Sequence, residues 1–149
     1  MGACTTAAVQ SVASPTPTTP DAEPWMPAIS PVVVHADAVE RRHPPGKPDV
    51  VVSILARGEQ AFLARLAMPA GAAVPVHRDA TEEYIHVIRG GGTITVDGTE
   101  HTIAAGDTVY MPANAEVSFT NGDAPMEAVQ VFAGPQPASK YGAWVSGPE

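Results

Sequence analysis

The stretch PVHRDATEEYIHVIRGGG, residues 75–92, places His77, Asp79 and Glu83 close together, ahead of an apolar run that ends in three glycines. One imidazole and two carboxylates can do two kinds of chemistry if they converge. Their lone pairs can hold a divalent ion and leave positions open for a substrate. Without an ion, carboxylates crowded in an apolar setting repel one another, which raises at least one pKa and prepares a general acid or base beside His77. In a third reading the three groups only hydrogen-bond one another or nearby loops. His77 and Glu83 are the candidate catalytic residues, and His77, Asp79 and Glu83 the candidate metal ligands.

Residue parity says what must position them. Alternate residues of an extended segment share a side, so His77 and Asp79 face one way. Glu83 follows the turn-like DATE, and Ile85 and Val87 continue its parity. Two adjacent strands would then point all three groups into one interior. Val117 and Phe119 share a face in EVSFTN, and Met111 shares that of Val109. Met111, Val117 and Phe119, with Met68, would form an apolar wall suited to a small, rather hydrophobic ligand. His86 is at odd offset from Glu83 and should face away, while His101 lies near a hairpin and should be exposed. Glu82 should be solvated, and Tyr84 and Tyr110 should pack rather than line a pocket. The glycine-rich IRGGGT precedes no helix, which argues against a phosphate-cradling loop.

The surrounding elements read as short strands: DVVVSILA, QAFLARLAM, EEYIHVIRG, GTITVDG, EHTIAAGD, TVYMPA, EVSFTN and MEAVQVFAG. Asp-Gly in VDGT is a strong cue for a two-residue hairpin turn, and TNGDAP supplies a second turn of that kind. With 5% aromatic and 16% charged residues and no helical pattern of useful length, the class is all-β, a sandwich or barrel of one domain. The prolines of RRHPPGKPD, 41–49, should exclude regular structure there, so that the compact part starts near Val50. Residues 1–30, rich in Ala, Thr, Ser and Pro, read as a disordered leader ahead of a domain over 31–149. At the other end, PQPASKYGAWVSGPE should be an irregular tail packing Tyr141 and Trp144 on the barrel.

Two spaced motifs resemble those of the cupin family. Gly71, His77, Asp79, Glu83 and Gly90 match the spacing of its first motif, and Gly106, Pro112, Asn114, Val117 and Asn121 that of its second, with a hairpin between them. The resemblance covers roughly residues 48–134, with the core motifs at 71–121, and implies a jelly-roll β-barrel with its pocket between two sheets. Cupins commonly hold a metal with three histidines and a glutamate. Here only His77 and Glu83 stand at such positions; Asp79 replaces the second histidine, and Val117, which has no lone pair, replaces the fourth ligand. The remaining set is harder and more anionic than the family's, which lowers its affinity for late transition metals. Fe, Mn, Zn or Ni are the divalent ions the resemblance suggests. It also suggests a homodimer, for which an edge strand from residues 31–40 could pair across the interface.

The net charge is −8, with 16 acidic against 8 scattered basic residues, so nucleic acid and anionic membrane surfaces would be repelled. Cys4 is the single cysteine and excludes an internal disulfide. No apolar run reaches the ~18 residues of a membrane-spanning helix. MGAC resembles the end of a bacterial lipoprotein signal, with Cys4 as the acylated residue, and MGACTT also fits the loose myristoylation pattern at Gly2. A cytoplasmic protein with a plain leader and an exported, lipid-tethered one both fit. The sequence therefore points to an enzyme acting on a small molecule, metal-assisted (dioxygenase, isomerase or lyase) or acid–base. The alternative is a non-catalytic small-ligand or metal-binding module, possibly tethered through Cys4.

Overall fold

A computed structural model of the chain describes residues 33–147. The expectations for the leader, Gly2 and Cys4 lie outside that range. The strands are β1 (Glu40–His43), β2 (Val51–Arg57), β3 (Phe62–Met68), β4 (Ala73–His77), β5 (Glu83–Arg89), β6 (Gly91–Val96), β7 (Thr99–Ala104), β8 (Thr108–Met111), β9 (Val117–Asn121), β10 (Met126–Phe132) and β11 (Val145–Ser146). Short 3-10 helices cover Ala36–Ala38 and Gln136–Ala143.

A seven-stranded sheet of order β11-β1-β2-β3-β10-β5-β8 faces a four-stranded sheet of order β4-β9-β6-β7, which gives the expected all-β double-sheet barrel. Period-2 patterning builds it. In β10, Met126, Ala128, Gln130 and Phe132 are buried while the residues between them are only half-buried. Met68, Val87, Ile94, Met111, Phe119 and Met126 fill the space between the sheets. The small sheet does not reach the β2 end of the large one. There Phe62 and Phe132 are covered by Ala138 and Tyr141 of the C-terminal 3-10 helix, with ring centroids of Phe62 and Tyr141 5.9 Å apart.

Several expectations are corrected. The segment after Pro44 is irregular, but Arg41–His43 belong to β1, which pairs with β2 and β11. The residue before a proline favours extended backbone, so His43 ends a strand instead of preventing one, and the domain begins before Val50. Val33–Val39 forms no strand, because both sides of β1 are already taken. The C-terminal segment is an ordered 3-10 helix, with Tyr141 buried as expected and Trp144 half-buried against it. Asp97 and Gly98 take the positive φ values of a primed hairpin turn, 45° and 78°, between Val96 and Thr99. TNGDAP, however, makes no hairpin, because β9 and β10 lie in different sheets and the segment crosses between them.

Asn121 anchors that crossing. It is 4% exposed, and its Nδ2 donates to the carbonyl oxygens of Pro69 at 2.7 Å and Ala124 at 3.0 Å. Asn121→Ala removes the donor from these partly buried acceptors and is expected to lower stability by about 1 kcal/mol, measured by urea denaturation. A wild-type midpoint in the variant would show that Asn121 holds nothing.

Candidate functional site

β4 and β5 bring His77 and Glu83 from opposite sides of the barrel, and Asp79 lies on the segment that connects them. They are not adjacent strands, as parity alone suggested: β4 edges the small sheet and β5 lies inside the large one. The pairing of β4 with β9 shifts register between Val74 and His77, across Pro75. Pro75 cannot donate to a ladder, which an edge strand tolerates, and such an irregularity re-aims the following side chain. His77 emerges directly across from Val117. Glu83 opens β5 between Phe132 and Met111 and points inward.

One ligand atom from each of His77, Asp79 and Glu83 lies within 4.8 Å of the others. His77 Nδ1 is 2.9 Å from the Pro75 carbonyl oxygen. A carbonyl only accepts, so Nδ1 donates to it, which leaves Nε2 as the ring nitrogen turned toward Asp79. Nε2 lies 3.7 Å from Asp79 Oδ2. Glu83 is 4% exposed. Burial drives its pKa up to about 7, against the opposing pull of the Gln130 hydrogen bond and the Lys140 charge, with Asp79 adding to the rise.

A cavity of about 60 Å³ lies between the sheets, room for a few water-sized groups. Met111, Val117 and Phe119 line it, with Val74, Ile85, Ile94, Ile103 and Met126. His77 and Glu83 are the polar side chains on its wall among the described residues. Asp79 is not on that wall, and Met68 is buried in the core beside it.

Three participants went unrecognised in the sequence. Lys140 Nζ donates to both Asp79 oxygens, at 3.0 and 2.8 Å. Gln130 Nε2 donates to Glu83 Oε1, and Tyr141 Oη donates to Gln130 Oε1 at 2.9 Å. With the Tyr141 hydroxyl donating to the amide oxygen, the NH2 of Gln130 is turned toward Glu83. Burial, with the Glu83 charge, raises the Tyr141 pKa and keeps it a donor. Gln130 was legible as a polar residue on the inward parity of β10. Lys140 left no such signal.

The remaining candidates stay outside. His86 and His101 are exposed, as expected. Tyr84 and Tyr110 stack on the outer face with centroids 5.2 Å apart. Both donate to Glu82 at 3.1 Å, so Glu82 is half-buried beneath them and not simply solvated.

The donor atoms of His77, Asp79 and Glu83 lie close enough together for the group to hold a divalent ion, but their lone pairs are already in use. Asp79 is engaged through both oxygens by an ammonium, one Glu83 oxygen accepts from Gln130, and beside His77 stands a valine.

A protein-family model described as a cupin domain matches residues 64–132. No curated protein matches the sequence. Solved structures similar to this chain include an RmlC-like cupin from Shewanella frigidimarina, 17% identical with a TM-score of 0.63, covering 70% of this chain and 92% of that one. A predicted oxalate decarboxylase from Thermotoga maritima is 23% identical with a TM-score of 0.61, covering 69% and 99%. KdgF from Halomonas sp. is 13% identical with a TM-score of 0.62, covering 70% and 94%. At these identities the likeness is one of fold.

Proposed function

Given that the chain belongs to the cupin superfamily, we propose that it is an enzyme that moves a proton on a small, uncharged, largely apolar organic molecule, as an isomerase or lyase does. The observation that carries this reading is Glu83: a carboxyl group buried in an apolar cavity, with its pKa near 7. Both protonation states are then populated at neutral pH, which suits a general acid or base. His77 lines the same cavity with its side chain 30% exposed, so it can pass the proton between Glu83's substrate and water. The Thermotoga structure similar in fold is named for oxalate decarboxylation. A dianion would fare poorly here, beside two carboxylates and an apolar wall, so an uncharged substrate fits better.

The reaction class can be tested before the substrate is known. Incubated in D2O with a panel of small neutral ketones and lactones, the chelator-treated protein is expected to speed deuterium exchange at the carbon beside the carbonyl of at least one compound. Glu83→Gln is expected to slow that exchange by about a hundredfold, followed by proton NMR. If wild type and variant are equally inert across the panel, the barrel is a binding module and not a proton-transfer enzyme.

A further inference from the structure

Lys140 brings a positive charge to the edge of the triad. Its ammonium reaches Asp79 through two hydrogen bonds, across 61 positions of sequence. It also lies 5.0 Å from the centre of the Phe132 ring and 5.7 Å from that of Tyr141, and aromatic faces attract such a cation. Phe132 pairs with Glu83 across β10 and β5, so the same ring borders both the lysine and the buried carboxylate. Tyr141, the next residue of the same 3-10 helix, reaches Glu83 through Gln130. Both carboxylates of the triad are thus held by consecutive residues of one C-terminal element.

We infer that Lys140 is the site's resident cation, an ammonium carried in by the C-terminal 3-10 helix that neutralises the anionic triad and keeps divalent metal out. An ion bound between His77, Asp79 and Glu83 would compete with the ammonium for both Asp79 oxygens and meet it a few ångströms away, and that competition and like-charge repulsion weaken its binding. Lys140 is therefore a positioning residue. It fixes Asp79 beside His77 and leaves Glu83 as the carboxyl that faces the cavity.

The inference rests on the metal-free reading above, yet the two fail separately, because this test reads metal affinity while deuterium exchange by chelated wild type reads the other. The full chain, stripped with chelator, is titrated with Co²⁺ by calorimetry and by the visible absorption of the bound ion. Lys140→Met, which keeps the apolar stem on Phe132, is expected to bind Co²⁺ about tenfold more tightly than wild type or better, the scale on which groups beside a metal site move its affinity. Lys140→Arg, which keeps the charge, should stay as weak as wild type, and adding His77→Ala to Lys140→Met should abolish the gain. Should Lys140→Met fail to fold, Lys140→Gln carries the same expectation. Wild type binding as tightly as the neutral variant, or a gain that survives His77→Ala, would overturn the inference.

Discussion

Above neutral pH, Glu83→Gln is expected to be more stable than wild type, although it replaces a site residue. In the folded chain the Glu83 carboxyl has a pKa of about 7, against an ordinary 4.5. Between these values the folded state binds more protons than the unfolded one, so its stability falls as pH rises. The contribution is complete below pH 4.5 and lost by the time pH has passed 7. At 1.36 kcal/mol per pH unit the whole difference is about 3 kcal/mol. Glutamine has the shape of protonated Glu83, still accepts from Gln130, and has no charge to bury. Urea denaturation with chelator present should therefore give a wild-type curve that declines by about 3 kcal/mol from pH 4.5 to 8 and a variant curve without that decline. Glu127 does not confuse the window: hydrogen bonds from Arg89 and Arg65 hold it down at about 2, so its contribution is lost only at lower pH. Parallel curves would mean that Glu83 is not desolvated.

The prediction exposes the conflict built into the site. A stable barrel would place an apolar residue at position 83, whereas this one keeps a carboxyl there and supplies a glutamine, a tyrosine and a lysine to hold the neighbourhood together. Costly buried groups of this kind concentrate where chemistry is done. The network is asymmetric, because Asp79 is neutralised by direct contact while Glu83 receives only a neutral amide hydrogen bond. That difference in partners leaves Glu83 as the buried carboxyl whose pKa is driven up.

How much of this was legible in the sequence depends on the range of each interaction. The eight strand runs, the Asp-Gly hairpin and the inward parity of Glu83, Met111, Val117 and Phe119 are local, governed by the period of two and by turn chemistry, and the fold follows them. Asn-Gly in TNGDAP carries the same local signal as Asp-Gly but joins strands of different sheets, because the sheet a strand joins is decided by its partners and not by the turn. The same holds for β4 and β5, close in sequence yet on opposing walls. β1 was hidden by the prolines that follow it. Lys140 was out of reach altogether: nothing in SKYG indicates that a 3-10 helix will pack on Phe62 and Phe132 and bring an ammonium to Asp79. Short-range patterning thus identified the carboxylates and the imidazole, while the groups that set their charge arrive from the far end of the chain.

Gly91→Ala is expected to have the largest effect on the molecule, although it replaces no residue of the triad. After β5 the chain must leave the large sheet and enter the small one within two residues, and Gly90 and Gly91 make that step with φ of 74° and 152°. A Cβ at position 91 would lie 2.1 Å from the Ile103 carbonyl oxygen and 2.9 Å from the Ala104 Cα. Both are backbone atoms of β7, paired to β6 in register, so neither can move without opening the ladder. A disallowed backbone conformation and a clash with main chain combine, and the expected loss is on the order of 4 kcal/mol or more, the range reserved for defects that cannot relax. Set against total stabilities of about 5–15 kcal/mol, this should remove a large share of the molecule's stability, seen as a strongly lowered urea denaturation midpoint. The consequence for the site is direct. The crossing at Gly91 carries the strand of Glu83 into the sheet that holds His77, so opening it separates the two walls of the cavity. A variant that folds with wild-type stability would show that the two sheets are not joined as closely as these distances require.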